Sequence, residues 1–501
     1  METKPIALVT GGASGIGWAI ARRFAASGAI VGIADLDAAK ARARTEEFGS
    51  SHFYHVVDIG DPAAAARMVR QCHERFGRLD VLVNNAGRTN NTGLNLAEQS
   101  RQSFDEIVGI NTEGSLAVAR AAAELMAMAG GGSIVNIASG AAFRALPFRS
   151  AYSASKAAIL SMSRQLAIDW APRNVRVNVV APGFVHTELL QDLIASGRLD
   201  PSHALARIPL GRMGTPDEIA AAVEFLASGS ARCISGAALN VDGGATAFGG
   251  SGSAVRQAGA APIQPPAGRR VAILFGAAND IGEAVAARLS DDGMIVALVD
   301  RDRDRMTRFC EQLGDNCASF VDTGEDDAVA ELSSHVKARF GRIDAVVNLR
   351  PEAFQSEARE TIRARLGRVH RLIRSVGPIL LAQGYGTFLN LTCGLTSAQD
   401  DAHSDEVVAT ETAVEMLSRT LACEWGGSGI NANTLALEAC SSLRPHGVYV
   451  PGGCIGLPRA GDLEDIAHAV RFLISDDVRF INAAMLTLNC GAEAFRERRA
   501  R

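Results

Sequence analysis

Several things are scarce or missing in this sequence, and each absence excludes a class of protein. Lysine is rare, with only 4 of the 50 basic residues, and aromatic residues make up 5% of the chain. The nine cysteines form no CxxC pair and no Cys/His cluster at zinc spacing, so no metal is expected and the thiols read as buried and free. No uninterrupted apolar run reaches the roughly 20 residues that span a bilayer, so no membrane segment is expected. A formal charge of -5 on 501 residues gives neither nucleic acid nor an anionic membrane a strong field to follow. The strand pattern "IALVTGG" begins at residue 6 and leaves no room for a secretory leader, so the expected location is cytoplasmic.

What is present is length and repetition. A chain of 501 residues exceeds one hydrophobic core and suits two domains of about 250 residues, each with its own core. The halves align with each other: Gly11 with Gly276, Asp35 with Asp300, "FGRLD" at 76–80 with "FGRID" at 340–344, and Trp170 with Trp425. The register slips twice, because the second copy is shorter by about ten residues between its fourth and fifth strands and by about eight after the sixth. Between the copies, "GGSGSAVRQAGAAPIQPPAG" has linker composition. The expected division is a domain at 1–248, a linker at 249–268 and a second domain at 269–495.

In both halves short β-branched runs alternate with amphipathic helical stretches. In the first half the runs are "IALVT", "AIVGIAD", "VLVNNAG", "SIVNIAS" and "VRVNVVAPG". Apolar strands separated by helices predict an α/β fold with a parallel sheet covered on both faces, doubly wound and Rossmann-like, formed twice.

"TGGASGIG", residues 10–17, falls where the first strand turns into the first helix. Gly11 permits the turn, Gly15 admits a pyrophosphate close to the backbone, and Gly17 allows tight helix packing, with Ser14 and Ile16 between them. The helix N-terminus attracts negative charge. Taken alone, the loop has a lesser alternative as a tight turn that binds nothing. Asp35, at the end of the next run, can accept hydrogen bonds from ribose hydroxyls and would repel a 2'-phosphate, which favours NAD over NADP; it could also be an ordinary strand-end turn residue. Asp58 and "NNAG" (Asn84, Ala86 and Gly87 among them) end further strands at the same carboxyl edge, where cofactor clefts open.

Tyr152 and Lys156 lie four apart at the start of a helical pattern and so share one face. With four tyrosines and four lysines in the chain, such a spacing arises by chance in only about 3% of shuffled sequences. A phenol titrates near 10, and lowering that by about 2 to 3 units takes roughly 3 to 4 kcal/mol of favourable field, part of which an adjacent ammonium can supply. Ser139 can donate a hydrogen bond to a carbonyl or alkoxide oxygen held between it and Tyr152. Asn111 can hold a water that relays protons from Lys156; the plainer reading is a hydrogen-bonded helix residue.

Together "TGGASGIG", "NNAG", Asn111, Ser139, "YSASK" and "APG" with Thr187 resemble the motif set of the short-chain dehydrogenase/reductase family, in order, over residues 5–245. The resemblance implies that Tyr152 is the general acid/base and that Ser139 polarises the substrate oxygen. Lys156 would bind the nicotinamide ribose and lower the tyrosine pKa, and Asn111 would sustain a proton relay. Pro182, Gly183, Val185 and Thr187 would stand beside the nicotinamide, and hydride would pass between a secondary alcohol carbon and the ring. It also implies pairing through the long helices that include the Tyr-x-x-x-Lys helix. The second copy would then take a neighbour's place within the chain, and a homodimer would form a pseudo-tetramer.

The second copy keeps the scaffold pattern and changes the chemistry. Its glycine loop reads "FGAANDIG", with Asp280 in place of Gly15; "NNAG" becomes "NLRP", bringing in Arg350 and Pro351; and Cys393, Val407 and Glu411 stand at the serine, tyrosine and lysine positions. A carboxylate about 4 Å from a phosphate costs roughly 4 kcal/mol at an effective dielectric near 20, so loss of NAD binding is expected. Alternatives remain: the second half as a binding or scaffold module, or a second active site built on Glu411, Asp280 and His403. For the substrate, a small alcohol or ketone, Asn90, Asn95, Phe184, His186 and Glu188 beside Leu189 and Leu190 suit a polyol or sugar. Arg144 suits a hydroxy acid or a 3-oxoacyl thioester.

Overall fold

In a computed structural model the described residues are 4–89, 94, 96–197, 200–249, 254, 267–323, 328–349, 362–393, 404–437, 457 and 461–491. Asn90, Asn95, Arg350, Pro351 and His403 lie outside them.

The first half contains β1 (Ile6–Thr10), α1 (Gly15–Ala26), β2 (Ile30–Asp35), α2 (Ala38–Phe48), β3 (Phe53–Val56), α3 (Pro62–Phe76), β4 (Val81–Asn84), α4 (Arg101–Val108), α5 (Ser115–Met128), β5 (Gly132–Ile137), α6 (Ser150–Trp170), β6 (Val175–Pro182), α7 (Glu188–Ala195), α8 (Pro201–Leu205), α9 (Pro216–Ala227) and β7 (Ala238–Val241). The second contains β8 (Val271–Phe275), α10 (Asp280–Asp291), β9 (Ile295–Asp300), α11 (Arg303–Leu313), β10 (Cys317–Val321), α12 (Ala328–Phe340), β11 (Ala345–Asn348), α13 (Ile362–Gln383), β12 (Gly386–Cys393), α14 (Ser404–Trp425), β13 (Ile430–Leu437), α15 (Leu463–Leu473) and β14 (Met485–Leu488). Each half forms a seven-stranded parallel sheet in the same order, β3-β2-β1-β4-β5-β6-β7 and β10-β9-β8-β11-β12-β13-β14. The doubly wound fold is therefore present twice, with each reversal of strand order beside the first strand, where such sheets bind ligands.

Local chemistry sets the element ends. Asp61 accepts from the Ala63 and Ala64 amides to start α3, with Pro62 in the first turn, and Gly77 ends it at φ 72°. Thr215 and Glu218 form a capping box at α9; Asp462 and Asp465 form the same box at α15.

Two cores were expected, and the arrangement differs. One apolar cluster runs through both halves, joining Val9, Ile33, Val223 and Phe225 to Leu274, Leu298, Val470 and Phe472. The outer face of each sheet has a cluster of its own. Helices α1, α9, α10 and α15 thus form a shared layer between the sheets. Phe225 and Phe472 stack at its centre with ring centroids 3.8 Å apart, and Arg232 reaches across to Asp462, Glu464 and Asp465.

Two expectations need correction here. The second copy does not meet the first through the long helices: none of α5, α6, α13 and α14 packs against a long helix of the other half among the described residues. The capped helices and last strands make the join. Nor are the thiols all free. Cys233 is bonded to Cys490 across the join, and Cys310 to Cys317; Cys72 and Cys423 are free. Residues 257 positions apart leave no spacing signal in a sequence.

Candidate active site

Where β1 ends, the chain turns at Gly11 (φ 62°), and a side chain there would press on Ala86 Cα at 3.0 Å. Gly17 has no room either, since a Cβ would come within 2.5 Å of Asn85 Nδ2. Gly15, at φ 53°, faces Thr187 Cγ2 at 3.5 Å, which brings the glycine loop against the segment after β6. Exposed Ser14 sits at the N-cap of α1 and makes no side-chain cap bond among the described residues; Ile16 is half-buried on the first turn.

The neighbouring strand ends frame this loop. Asp35 accepts from the Ala13 amide (3.1 Å) with one oxygen and from the Asp37 amide (3.1 Å) with the other. Asp58 is exposed and accepts from the Gly60 amide at 2.8 Å. Asn84, expected at the cofactor, turns its amide inward instead, donating to Ser115 O and Asn136 Oδ1 at 3.0 and 2.9 Å. Asn136 continues to Ser163 at 2.8 Å. The side chain of Asn84 is thus committed to a buried relay, and Asn85 does the loop work, donating to Thr10 O and Gly11 O. Ala86 donates its amide to Thr10 Oγ1, and exposed Gly87 follows. Thr10 and Asn85 were not singled out from sequence, although both lie inside the quoted motifs.

The chemistry-bearing side chains come together beside Gly87. Tyr152 opens α6 and is hydrogen-bonded to Ser139, which starts the short turn after β5 and also accepts from the Ala141 amide. Lys156, 4% exposed, donates to Ile137 O at 2.8 Å, and its Nζ lies 5.8 Å from the Tyr152 ring centroid. Asn111 is fully buried in a π-helical turn, residues 109–114, which turns its amide inward. Its Oδ1 accepts from the Arg88 amide (2.7 Å), while its Nδ2 donates to Arg88 O and to Ser155 Oγ (both 2.9 Å). Ser155 in turn donates to Tyr152 O at 2.8 Å. Ser155, between the tyrosine and lysine in "YSASK", is a third residue that sequence reasoning passed over.

Burial pushes the Tyr152 phenol above its ordinary range, against which the Ser139 hydrogen bond and the nearby Arg149 guanidinium pull it down. Lys156, desolvated, is lowered to about 8. The cationic help for the phenol in the free protein thus comes from Arg149, and Lys156 contributes through its position. At the end of β6, Pro182 is buried, and a Cβ on Gly183 would lie 2.8 Å from Asp242 Cα. Val185 is buried, and Thr187 caps α7 through the Leu190 amide. Arg144 is turned onto the Ala245 carbonyl, beside the buried Asp242 carboxylate.

The residues present fit a dinucleotide. Two left-handed glycines open space at the N-terminus of α1, the carboxyl-edge loops close around it, and a buried ammonium stands at the far end.

Fold and site define a pair of Rossmann-type domains. A family profile described as enoyl-(acyl carrier protein) reductase matches residues 11–246 and again 276–493. An uncharacterized short-chain type dehydrogenase/reductase of Sinorhizobium fredii is 35% identical, with 98% of this chain and 93% of that protein covered. The D-threitol dehydrogenase of Mycolicibacterium smegmatis is 43% identical over 47% of this chain and 90% of its own. Among solved structures, a 3-ketoacyl-(acyl-carrier-protein) reductase from Brucella melitensis complexed with NADH is 35% identical, with a TM-score of 0.45, covering 48% of this chain and 98% of that one. The chain belongs to the short-chain dehydrogenase/reductase family and carries its domain twice. It is an oxidoreductase acting on CH–OH groups. Among the described residues no helix is long and apolar enough to cross a membrane.

Proposed function

We propose that this protein is an NAD-dependent oxidoreductase that interconverts a secondary alcohol and a ketone in the first domain, residues 1–248. The segment 249–268 is a linker, and the copy at 269–495 is non-catalytic. The observation that carries the reading is the convergence of Asn111, Ser139, Tyr152 and Lys156 beside one open helix N-terminus, against Cys393, Val407 and Glu411 at the matching places in the second half.

Gly11, Ser14, Gly15 and Ile16 hold the pyrophosphate, with Gly17 keeping the helix close. Asp35 and Asp58 border the adenosine, Ala86 and Gly87 the central ribose, Lys156 the nicotinamide ribose, and Pro182, Gly183, Val185 and Thr187 the nicotinamide. Asn84 supports this wall from inside the sheet. Bound there, an oxidised nicotinamide would supply the hydride acceptor for the carbinol carbon. Ser139 donates to the substrate oxygen, and Tyr152 Oη takes the hydroxyl proton in oxidation and returns it in reduction. Arg149 supplies the cationic help to the phenolate, Lys156 contributes through its position, and Asn111, fixed between Arg88 and Ser155, holds the exit for that proton. With one carboxylate oxygen on the Ala13 amide, Asp35 presents negative charge where NADP would place a phosphate, which favours NAD.

A small polyol or sugar is the favoured substrate. The similarity to a threitol dehydrogenase supports it, and Arg144 spends its guanidinium on Ala245 rather than on an acid. The alternative, a 3-oxoacyl thioester, draws on the 35% identity over 46% of the chain to a 3-oxoacyl-[acyl-carrier-protein] reductase of Thermotoga maritima. A panel of secondary alcohols and oxoacyl thioesters, followed at 340 nm with NAD and NADP, tests the reading. Tyr152→Phe should lower kcat about 10²- to 10⁴-fold on the true substrate, and unchanged turnover would remove Tyr152 from the chemistry.

The protein is proposed to be cytoplasmic and a homodimer. The α9/α15 layer is used within the chain, and α13 and α14 leave a groove of about 680 Å³ lined by Leu366, His370, Ala413, Met416 and Leu417 for a second copy. Light scattering should give twice 52.5 kDa; a stable monomer would exclude the pseudo-tetramer.

A further inference from the structure

The two halves meet about a pseudo-two-fold axis. The Gly243 amide donates to Phe480 O, and the equivalent Cys490 amide donates to Cys233 O, both at 2.9 Å. The Leu210 amide reaches Gly243 O as the Leu457 amide reaches Cys490 O. The partners at the centre nonetheless differ. What the first half sends into the second is Cys233, bonded to Cys490; what the second half sends into the first is the aromatic ring of Phe480.

That ring is fully buried and lies between two glycines of the catalytic half. A Cβ on Gly214 would come within 2.5 Å of Phe480 Cε1, and one on Gly243 within 2.7 Å of Cε2. Arg212, held by both oxygens of Glu218 at 2.9 and 2.7 Å, covers the ring with its guanidinium 5.3 Å from the centroid. Both glycines connect to the cofactor wall. Gly214 donates to Phe184 O (2.9 Å) and accepts from the His186 amide (2.8 Å), making a bridge with Val185. Gly243 follows Asp242, whose Cα is the atom that a Cβ on Gly183 would meet.

We propose that Phe480 is a positioning residue supplied by the non-catalytic half: wedged against Gly214 and Gly243, it fixes residues 183–187, the segment facing the nicotinamide, and so sets cofactor affinity and substrate KM. This rests on the proposed catalytic reading of the first half. A close-packed interior gives a ring wedged between two backbone segments no alternative place, so the segment is held where the ring puts it. The second domain is thereby part of the first domain's binding apparatus rather than an inert brace.

The test uses the full chain and reads NADH binding by fluorescence as well as turnover. Phe480→Ala should weaken NADH binding at least 5-fold and raise the alcohol KM about 10-fold, with kcat changed less. A general loss of folded protein would lower apparent kcat and leave KM alone. Gly214→Ala should produce the same pattern, because its methyl needs the space the ring fills. Added to Phe480→Ala, it should have no further effect. Phe480→Leu should recover most of the affinity. Where Phe480→Ala does not fold, Gly214→Ala alone carries the test, since it displaces the ring without removing it. Wild-type NADH affinity and KM in folded Phe480→Ala or in Gly214→Ala, or strict additivity of the two, would overturn the proposal. Failure of the underlying reading is a different result, in which the wild-type protein binds no NADH.

Discussion

The first helices of the two halves, α1 and α10, begin alike and serve differently. Each follows a left-handed glycine, Gly11 at φ 62° and Gly276 at φ 73°, and in each a strand-end aspartate accepts from a loop amide at 3.1 Å: Asp35 from Ala13, Asp300 from Ala278. The α1 N-terminus then stays open, because Ser14 makes no cap bond and Gly15 adds no side chain. At α10, Asn279 accepts the Gly282 amide, and Asp280 and Glu283 fill the first turn. Arg305 pairs with both acids at 2.5 and 2.7 Å. A helix N-terminus needs anionic charge and acceptors for its free amides. In the second half the protein supplies them itself; in the first they are left to a ligand. The persistence of the aspartate clasp in both halves shows that Asp35 has a structural duty apart from any contact with ribose.

The largest effect expected from this contrast comes from copying one residue. Gly15→Asp should weaken NADH binding by about 100-fold: a carboxylate near a phosphate costs roughly 4 kcal/mol at an effective dielectric near 20, which partial pairing with Lys40, at the position of Arg305, reduces. The reverse change, Asp280→Gly, should confer no binding, since Asn279 still occupies the Gly282 amide. Calorimetric titration of both variants with NADH decides the matter; binding gained by Asp280→Gly would mean that one side chain, and not the whole capped terminus, separates the halves.

How much of this was legible in the sequence depends on the range of the interaction. The strands and their order follow from local apolar runs, and the glycine loop and Tyr152/Lys156 pair follow from short spacings that physics ties to one turn of backbone. The buried relay Asn84–Asn136–Ser163 was hidden because an Asn at a strand end reads equally well as a ligand contact or as a cross-strand tie. Its repetition as Asn348–Asn390–Ser418 in the half where Val407 and Glu411 replace the tyrosine and lysine marks it as scaffold. The join was least legible. Which apolar helix face meets which is decided by total complementarity, and neither Phe480 between two glycines nor Cys233 with Cys490 leaves a periodic trace. Resemblance pointed to the long helices, and the capped helices α9 and α15 proved to be the buried pair.

A further prediction sharpens the comparison at Lys156 and Glu411, both buried at matching positions, with 4% and 5% exposure. Burial lowers the Lys156 ammonium from 10.5 to about 8 in the folded protein, while the unfolded chain keeps its proton up to about 10.5. Between those pH values the unfolded state binds the additional proton, so folding stability rises with pH through this window, by roughly 3 kcal/mol for the full shift. A lysine held by an ion pair would give the opposite slope. Because the chain has only 4 lysines, labelling their ε-carbons gives a spectrum of four signals. One should titrate near 8 and disappear in Lys156→Met, and the rise in stability should disappear with it. Four lysines all titrating near their ordinary value would show that the ammonium is solvated, and with it would go the argument that the first half holds a desolvated cation ready for a ribose and a phenolate.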